Sequence, residues 1–192
     1  MSDTITLKPK WTSDVSDGDV FALKYSKDNS FIASALSNGQ SCLYSPTTGR
    51  LSYALDQSPG DFPTTALRFH PTSKFFITAT ADGVIKCWST RRPSLIWEQK
   101  EENNQIFCMD MGAEGKRFVT AGLDTKVRIY DFETQQIIST LERARDVDDD
   151  PIPGHTNRVF SLIFDPLDPF LMYSGGWDDT IQVWDFRVGR SV

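Results

Sequence analysis

The chain has 192 residues, 39% of them hydrophobic and 24% charged, which suits one apolar core and an ordinary soluble surface. Its formal net charge of −6 and sequence pI of about 4.9 argue against a general nucleic-acid partner, since non-specific phosphate binding needs clustered Lys and Arg and no basic stripe is present. The opening segment MSDTITLKPKW has no apolar signal-like run, and no later stretch nears the roughly 18 apolar residues of a membrane span. A soluble intracellular protein without a membrane partner is expected, cytoplasmic, with the nucleus as the alternative location.

In chain order, an N-terminal segment (residues 1–18) precedes a first unit (19–58) with strand-like runs at 20–25, 31–35 and 41–44, a Pro46 to Gly49 turn and an outer strand near 51–55. The second unit (59–102) repeats this at 66–69, 75–80, 84–88 and 95–98. The third (103–153) does so at 106–111, 117–121, 126–130 and 136–141. These runs are apolar with weak alternation, as expected of strands covered on both faces. The fourth unit (154–192) has runs at 159–164, 170–174 and 180–184, then only Gly189-Arg190-Ser191-Val192 for an outer strand.

Residues 143–153 form an acidic insertion closed by Pro151 and Pro153. Asp146, Asp148 and Asp150 alternate as at the start of a calcium loop, but the glycine of the sharp turn and the closing glutamate are missing, so no metal site is assigned. The stretch reads as a solvated surface loop, with a docking site for a basic peptide as the alternative. Cys42, Cys87 and Cys108 are an odd set without CxxC or His-Cys spacing, which indicates reduced thiols and neither a disulfide framework nor a zinc site. No cofactor is implied.

Four turns mark the repeat: Asn38-Gly39, Asp82-Gly83, Asp124-Thr125 and Asp178-Asp179. At a constant distance beyond each stands an aromatic residue, in order Tyr44, Trp88, Tyr130 and Trp184. At a constant distance before each stands a hydroxyl, in order Ser34, Thr78, Thr120 and Ser174. The fourth copy is the fullest, opening on Gly154-His155 and closing on Trp184-Asp185. This Gly-His to Trp-Asp frame resembles the WD40 repeat family, whose unit is one four-stranded blade of a β-propeller. The resemblance implies an all-β fold of about four such blades.

A blade packed between two others buries both faces, so polar side chains inside it need partners. His155, Ser174, Asp178 and Trp184 can supply one another. The resemblance implies that Asp178 accepts from the His155 ring, that His155 bonds the Ser174 hydroxyl, and that this hydroxyl meets the Trp184 indole N–H. Ser, His and Asp are also the residue types of a nucleophilic triad, but a triad is defined by geometry and the spacing here is that of a structural network. His70, in Phe-His-Pro, has no matched acid or nucleophile. No catalytic residue is assigned. The positions equivalent to His155 hold Ser16, Gly60 and Glu102, so the other three blades are expected to lack the full network and to rely mainly on apolar packing.

Function is then expected of a surface. In this family the turns between second and third strands gather with the starts of the first strands on one face, the usual peptide-binding face. Those positions hold Ser37, Ala81, Leu123 and Trp177 on the turns, and Asp19 and Phe21, Pro63 and Thr65, Gln105 and Phe107, Arg158 and Phe160 at the strand starts. Exposed aromatics and Arg are the material of binding hot spots. Trp177 is the leading candidate, followed by Phe160, Arg158, Phe107 and Leu123, the alternative for Phe107 and Phe160 being packing between blades.

The stretch from Ser174 to Arg187 also resembles the box by which some WD40 proteins serve as substrate receptors of cullin-4 ubiquitin ligases, its key residues being Trp184, Asp185 and Arg187. It departs from that pattern at Met172, Tyr173 and Val188, and the plainer reading pairs Arg187 with a neighbouring carboxylate. A non-enzymatic scaffold for protein or peptide partners is the leading expectation. A ligase receptor bound to the cullin-4 adaptor is the alternative, and a propeller hydrolase the remote one. Residues 4–8 suit the N-terminal strand that latches rings of this family. With no sign of a short closure, the four blades are expected to form an open arc able to self-associate through its open blade faces, the alternative being a closed four-blade ring in which the fourth unit, short of its own outer strand, takes residues 4–8.

Overall fold

The computed structural model describes residues 8–13, 17–55, 61–145, 151–187 and 190–191, and among these the chain forms strands and turns without a helix. Four antiparallel sheets, each of four strands in simple meander order, follow one another along the sequence as propeller blades. Blade 1 contains β1 (Val20–Tyr25), β2 (Ile32–Leu36), β3 (Ser41–Tyr44) and β4 (Leu51–Leu55). Blade 2 contains β5 (Thr64–Phe69), β6 (Phe75–Thr80), β7 (Val84–Ser89) and β8 (Ser94–Lys100). Blade 3 contains β9 (Ile106–Met111), β10 (Arg117–Gly122), β11 (Val127–Asp131) and β12 (Ile137–Leu141). After a two-stranded ribbon of β13 (Ala144–Arg145) and β14 (Pro151–Ile152), blade 4 contains β15 (Val159–Phe164), β16 (Leu171–Gly176), β17 (Ile181–Asp185) and β18 (Arg190–Ser191).

Two expectations need correction. Blade 4 is not without its own outer strand, because β18 pairs Ser191 with Trp184 and Arg190 with Asp185. The insertion is more than a loop, since β13 and β14 give its flanks backbone pairing. Its residues Asp146, Asp148 and Asp150, and residues 4–7 of the expected latch, lie outside the described residues.

The tight turns follow from the residues at their second position. Gly39 (φ 82°) and Gly83 (φ 88°) take left-handed backbone freely, whereas Thr125 (φ 69°) and Asp179 (φ 59°) adopt it against the Cβ penalty.

Alternation along each strand gives every blade two apolar faces, and the blades pack through them in series. Ala33, Ala35, Leu43 and Leu55 of blade 1 meet Leu67, Phe69, Phe76 and Trp88 of blade 2. Ile77, Ala79, Ile85 and Cys87 of blade 2 meet Ile106, Met109, Phe118 and Tyr130 of blade 3. Val119, Val127, Ile129 and Leu141 of blade 3 meet Val159, Leu162, Met172 and Trp184 of blade 4. At about 1.5–3 kcal/mol for each large apolar side chain fully buried, these seams are the main source of stability. Cys42, Cys87 and Cys108 are free and buried, and burial pushes the Cys87 and Cys108 thiols up to about 12.

The series does not close. β1 packs on β5, β5 on β9 and β9 on β15, while β1 and β15 share no comparable interface. Strand register shows the consequence. Leu23, Leu67, Met109 and Leu162 stand opposite Ser34, Thr78, Thr120 and Ser174 in their blades. The last three of these apolar residues are buried, but Leu23 is 58% exposed. On the other face Ser41, Ile85, Val127 and Ile181 stand opposite Ala35, Ala79, Ala121 and Gly175. Here the first three are buried and Ile181 is 78% exposed. Among the described residues the four blades therefore form an open arc whose end faces leave Leu23 and Ile181 exposed.

This geometry predicts a contrast between two isoleucines at one position of the repeat. In dilute solution Ile85→Ala is expected to cost about 2–5 kcal/mol of unfolding free energy through the cavity it leaves. Ile181→Ala should stay within about 0.5 kcal/mol of the unaltered chain. Chemical denaturation measures both, and similar losses would contradict the open face.

Candidate partner-binding site

Each blade ties its second turn to the start of its first strand by the same backbone bond. Ser37 N–H donates to Asp19 O, Ala81 to Pro63 and Leu123 to Gln105 at 2.9 Å, and Trp177 donates to Arg158 at 2.8 Å. Immediately after this bond the first strand bulges, leaving Phe21, Thr65, Phe107 and Phe160 without a residue opposite in the four blades. A bulge re-aims its extra side chain, so one residue per blade is turned away from the ladder at the same end of the arc.

In blades 3 and 4 these residues form a stack. The Phe107 and Phe160 rings lie parallel, 4.8 Å apart and 2° from coplanar orientation. Trp177 packs on Phe160 at 4.6 Å and 36°. The Arg158 guanidinium lies 5.6 Å from the centre of the Trp177 ring. Trp177 is 62% exposed and Phe160 40%, while Phe107 is half-buried. Leu123 occupies the turn position of blade 3 equivalent to Trp177 and is half-buried. The stack ends toward blade 2, where the bulged residue is Thr65, whose hydroxyl donates to the Ile106 carbonyl at 2.6 Å. Phe21, the equivalent in blade 1, is exposed.

Beneath the stack, the first strands of all four blades line a cavity of about 330 Å³ whose wall includes Lys24, Thr65, Arg68, Phe107 and Phe160. Arg68 Nε donates to Asp110 Oδ1 at 2.7 Å, and Asp110 Oδ2 accepts the Phe164 N–H at 2.8 Å. The Arg68 charge, then burial, lowers the Lys24 pKa, and the Asp110 carboxylate offsets part of that effect. Repeat spacing does not mark this cluster, whose signal in the sequence is charged residues inside otherwise apolar first strands.

The residues read as a structural network come together in blade 4. Trp184 Nε1–H donates to Ser174 Oγ at 2.7 Å, Ser174 and His155 Nε2 are 2.7 Å apart, and His155 Nδ1 lies 2.9 Å from Asp178 Oδ2. One proton arrangement satisfies all of them: indole to hydroxyl, hydroxyl to Nε2, Nδ1–H to carboxylate. Gly176 permits the approach, since a Cβ there would lie 2.8 Å from His155 Nδ1. Burial acts to raise the Asp178 carboxyl, but the Thr156 N–H, the Thr180 hydroxyl and the His155 ring outweigh it and hold the pKa at about 2.

Blade 3 corrects the expectation that it lacks a full network and relies mainly on apolar packing. Glu101, not Glu102, enters the blade and is buried. Its carboxylate accepts from the Thr120 hydroxyl, from Tyr130 Oη–H at 2.8 Å, from Asn104 Nδ2 at 2.6 Å and from Arg128 Nη1 at 3.2 Å. Arg128 also pairs with Asp124. An acceptor with four donors replaces the His-Asp pair, and the Tyr130 hydroxyl that stands where blade 4 has an indole was the clue. In blade 2 the Trp88 indole donates to Thr78 Oγ1 at 3.0 Å.

His70 bridges blades, with Nε2 3.1 Å from Gly115 O and its ring 4.8 Å from that of Phe132. Arg187 is held by Asp185, through Nε at 2.8 Å, and by Asp168 at 3.3 Å.

Three segments of the chain, residues 55–89, 94–131 and 150–185, match the family model described as WD domain, G-beta repeat. Each covers the first three strands of blade 2, 3 or 4, and the second begins with β8, the outer strand of blade 2. The chain is 24% identical over 172 residues to the periodic tryptophan protein 2 homolog of Dictyostelium discoideum, covering 88% of this chain and 17% of that protein. It is 29% identical over 168 residues to the serine-threonine kinase receptor-associated protein of the same organism, covering 86% and 52%. With the ribosome biogenesis protein ytm1 of Schizosaccharomyces pombe it shares 26% over 155 residues, 65% of this chain and 35% of that one. The chain thus spans from about a sixth to about half of the length of these relatives.

Two predictions follow from the network. His155→Ala should cost about 1–3 kcal/mol by leaving the buried Ser174 hydroxyl proton without an acceptor and Asp178 without one of its donors, and His70→Ala less; equal shifts in Tm would contradict the distinction. Because the folded-state Asp178 carboxyl lies below its ordinary value of 3.8, its bonds stabilise the fold fully above about pH 4 and are lost as pH falls toward about 2. The stability gap between the unaltered chain and Asp178→Asn should therefore close across that window in denaturation curves. A gap that persists to the acid end would contradict the assignment.

Proposed function

As the chain belongs to the WD40 repeat family, we propose that it is a non-enzymatic protein-interaction module whose partner docks on the Phe107–Phe160–Trp177–Arg158 stack. The stack is the observation that carries this reading. Three aromatic rings and a guanidinium stand together at one end of the arc, and most of the Trp177 surface is open to solvent. Rigid aromatics and Arg bring large contact area at low entropic cost, which is why they dominate interface hot spots. Exposed Lys24 in the wall of the adjoining cavity favours a partner peptide with an apolar anchor and a nearby carboxylate.

The hydrolase alternative has less support. His155 and Ser174 are buried, and the Ser174 oxygen already receives the Trp184 indole, so its hydroxyl has no open path to a substrate. The receptor-associated relative bears an association function in its name, which agrees with a scaffold. The cullin-4 reading rests on the Trp184, Asp185 and Arg187 box alone, and there the Arg187 guanidinium is engaged by Asp185 and Asp168. A cytoplasmic or nuclear setting belongs to the same proposal.

Trp177→Ala is expected to weaken a partner captured by affinity purification by about 2 kcal/mol or more, roughly thirtyfold in Kd, with Tm nearly unchanged. Calorimetric titration of the purified pair measures it. Unchanged affinity, or a variant that unfolds, would overturn the site.

A further inference from the structure

The turn between β7 and β8, at the outer edge of blade 2, leads into Arg91-Arg92-Pro93-Ser94-Leu95. Two adjacent arginines stand before a serine and an apolar residue follows it. Arg91, Arg92, Ser94 and Leu95 are exposed, and Pro93 is half-buried. Ser94 Oγ–H donates to Arg92 O at 3.0 Å, a local surface bond that water or a partner can replace.

This turn is less secured than its counterparts in blades 1 and 3. Those are closed by Gly49 and Gln135, which take left-handed backbone (φ 71° and 62°) and donate their N–H groups to Ser45 O at 2.8 Å and Asp131 O at 2.9 Å. The residue at the same distance beyond Ser89 is Pro93. Proline has no N–H and a φ fixed near −65°, so it can supply neither feature, and the segment opens into an extended peptide at lower cost.

From this we propose that Ser94 is the acceptor site of a basophilic serine/threonine protein kinase, one whose substrate groove carries carboxylates. Those carboxylates pair with the Arg91 and Arg92 guanidiniums, and an apolar pocket takes Leu95. In the transfer Ser94 Oγ attacks the γ-phosphorus of the kinase's Mg-ATP. The Oγ–P bond forms as the bond from that phosphorus to the β,γ-bridging oxygen breaks, ADP leaves, and the hydroxyl proton passes to the kinase's catalytic carboxylate. Thr120 provides the contrast. It too follows a basic pair, Lys116-Arg117, but it is fully buried and its hydroxyl donates to Glu101, so it is out of reach in the folded chain. A phosphate of roughly −2 on Ser94 cancels the charges of Arg91 and Arg92, which turns a cationic corner of this acidic protein neutral.

The test is incubation of the purified, folded chain with Mg-ATP and the catalytic subunit of cyclic-AMP-dependent protein kinase as the basophilic probe, the modified residue being mapped by tandem mass spectrometry. Phosphate on Ser94 is expected, with Thr120 unmodified. Ser94→Ala should lose that phosphate. Joint Arg91→Ala and Arg92→Ala substitution should lower kcat/KM at Ser94 by about a hundredfold, since two charge-assisted contacts are removed. No phosphate on Ser94, a rate unmoved by loss of the arginines, or phosphate on Thr120 as readily as on Ser94 would each overturn the proposal.

Discussion

Everything in this molecule depends on the requirement that a β-sheet apolar on both sides be covered on both sides. One four-stranded blade cannot meet it alone, because its strands alternate large side chains to opposite faces. Stacking blades in series meets it at each seam. The three seams described here share their layout: small and medium residues such as Ala33, Ala79 and Ala121 on the forward face, and large ones such as Phe76, Phe118 and Trp184 on the rear face. Small against large lets twisted sheets approach without voids. The exposure of Leu23 and Ile181 is the same rule seen where no neighbour is present.

Polar groups inside the blades are constrained by this burial. A hydroxyl on the second strand and an aromatic donor on the third recur in each unit, and each needs a terminus for its hydrogen bonds. Blade 4 ends its chain on Asp178 through the His155 ring, while blade 3 ends its own on Glu101, with Arg128 balancing the charge. The two solutions are chemically different and geometrically parallel. Trp177, Phe160 and Arg158 on the turn face take no part in either network.

The blades were legible in the sequence because their signals are local: a hydroxyl, a two-residue turn and an aromatic at fixed separation, repeated four times. The strand start at Thr64 was less so, since the bulge at Thr65 breaks the period of two. Positions 107, 160 and 177 could be assigned to one face from spacing alone. That their rings stack depends on bulges and on the distance between neighbouring blades, which no single repeat encodes. Glu101 escaped the counting by one residue, because the loop before β9 shifts the acceptor while Asn104 and Arg128 hold it in place. The Lys24, Arg68 and Asp110 cluster is hidden for another reason, its members lying on three different blades.

The most direct measurement of the seam account is amide hydrogen exchange resolved by strand, made on dilute protein so that the end faces stay uncovered. Strands β6, β7, β10 and β11, covered on both sides, should exchange slowest, near the global unfolding limit. Strand β1, on the bare face of blade 1, should exchange faster, as should β17 on the bare face of blade 4. Uniform protection across all four blades would contradict the account, because it would mean that the end faces are covered or that face burial does not set stability.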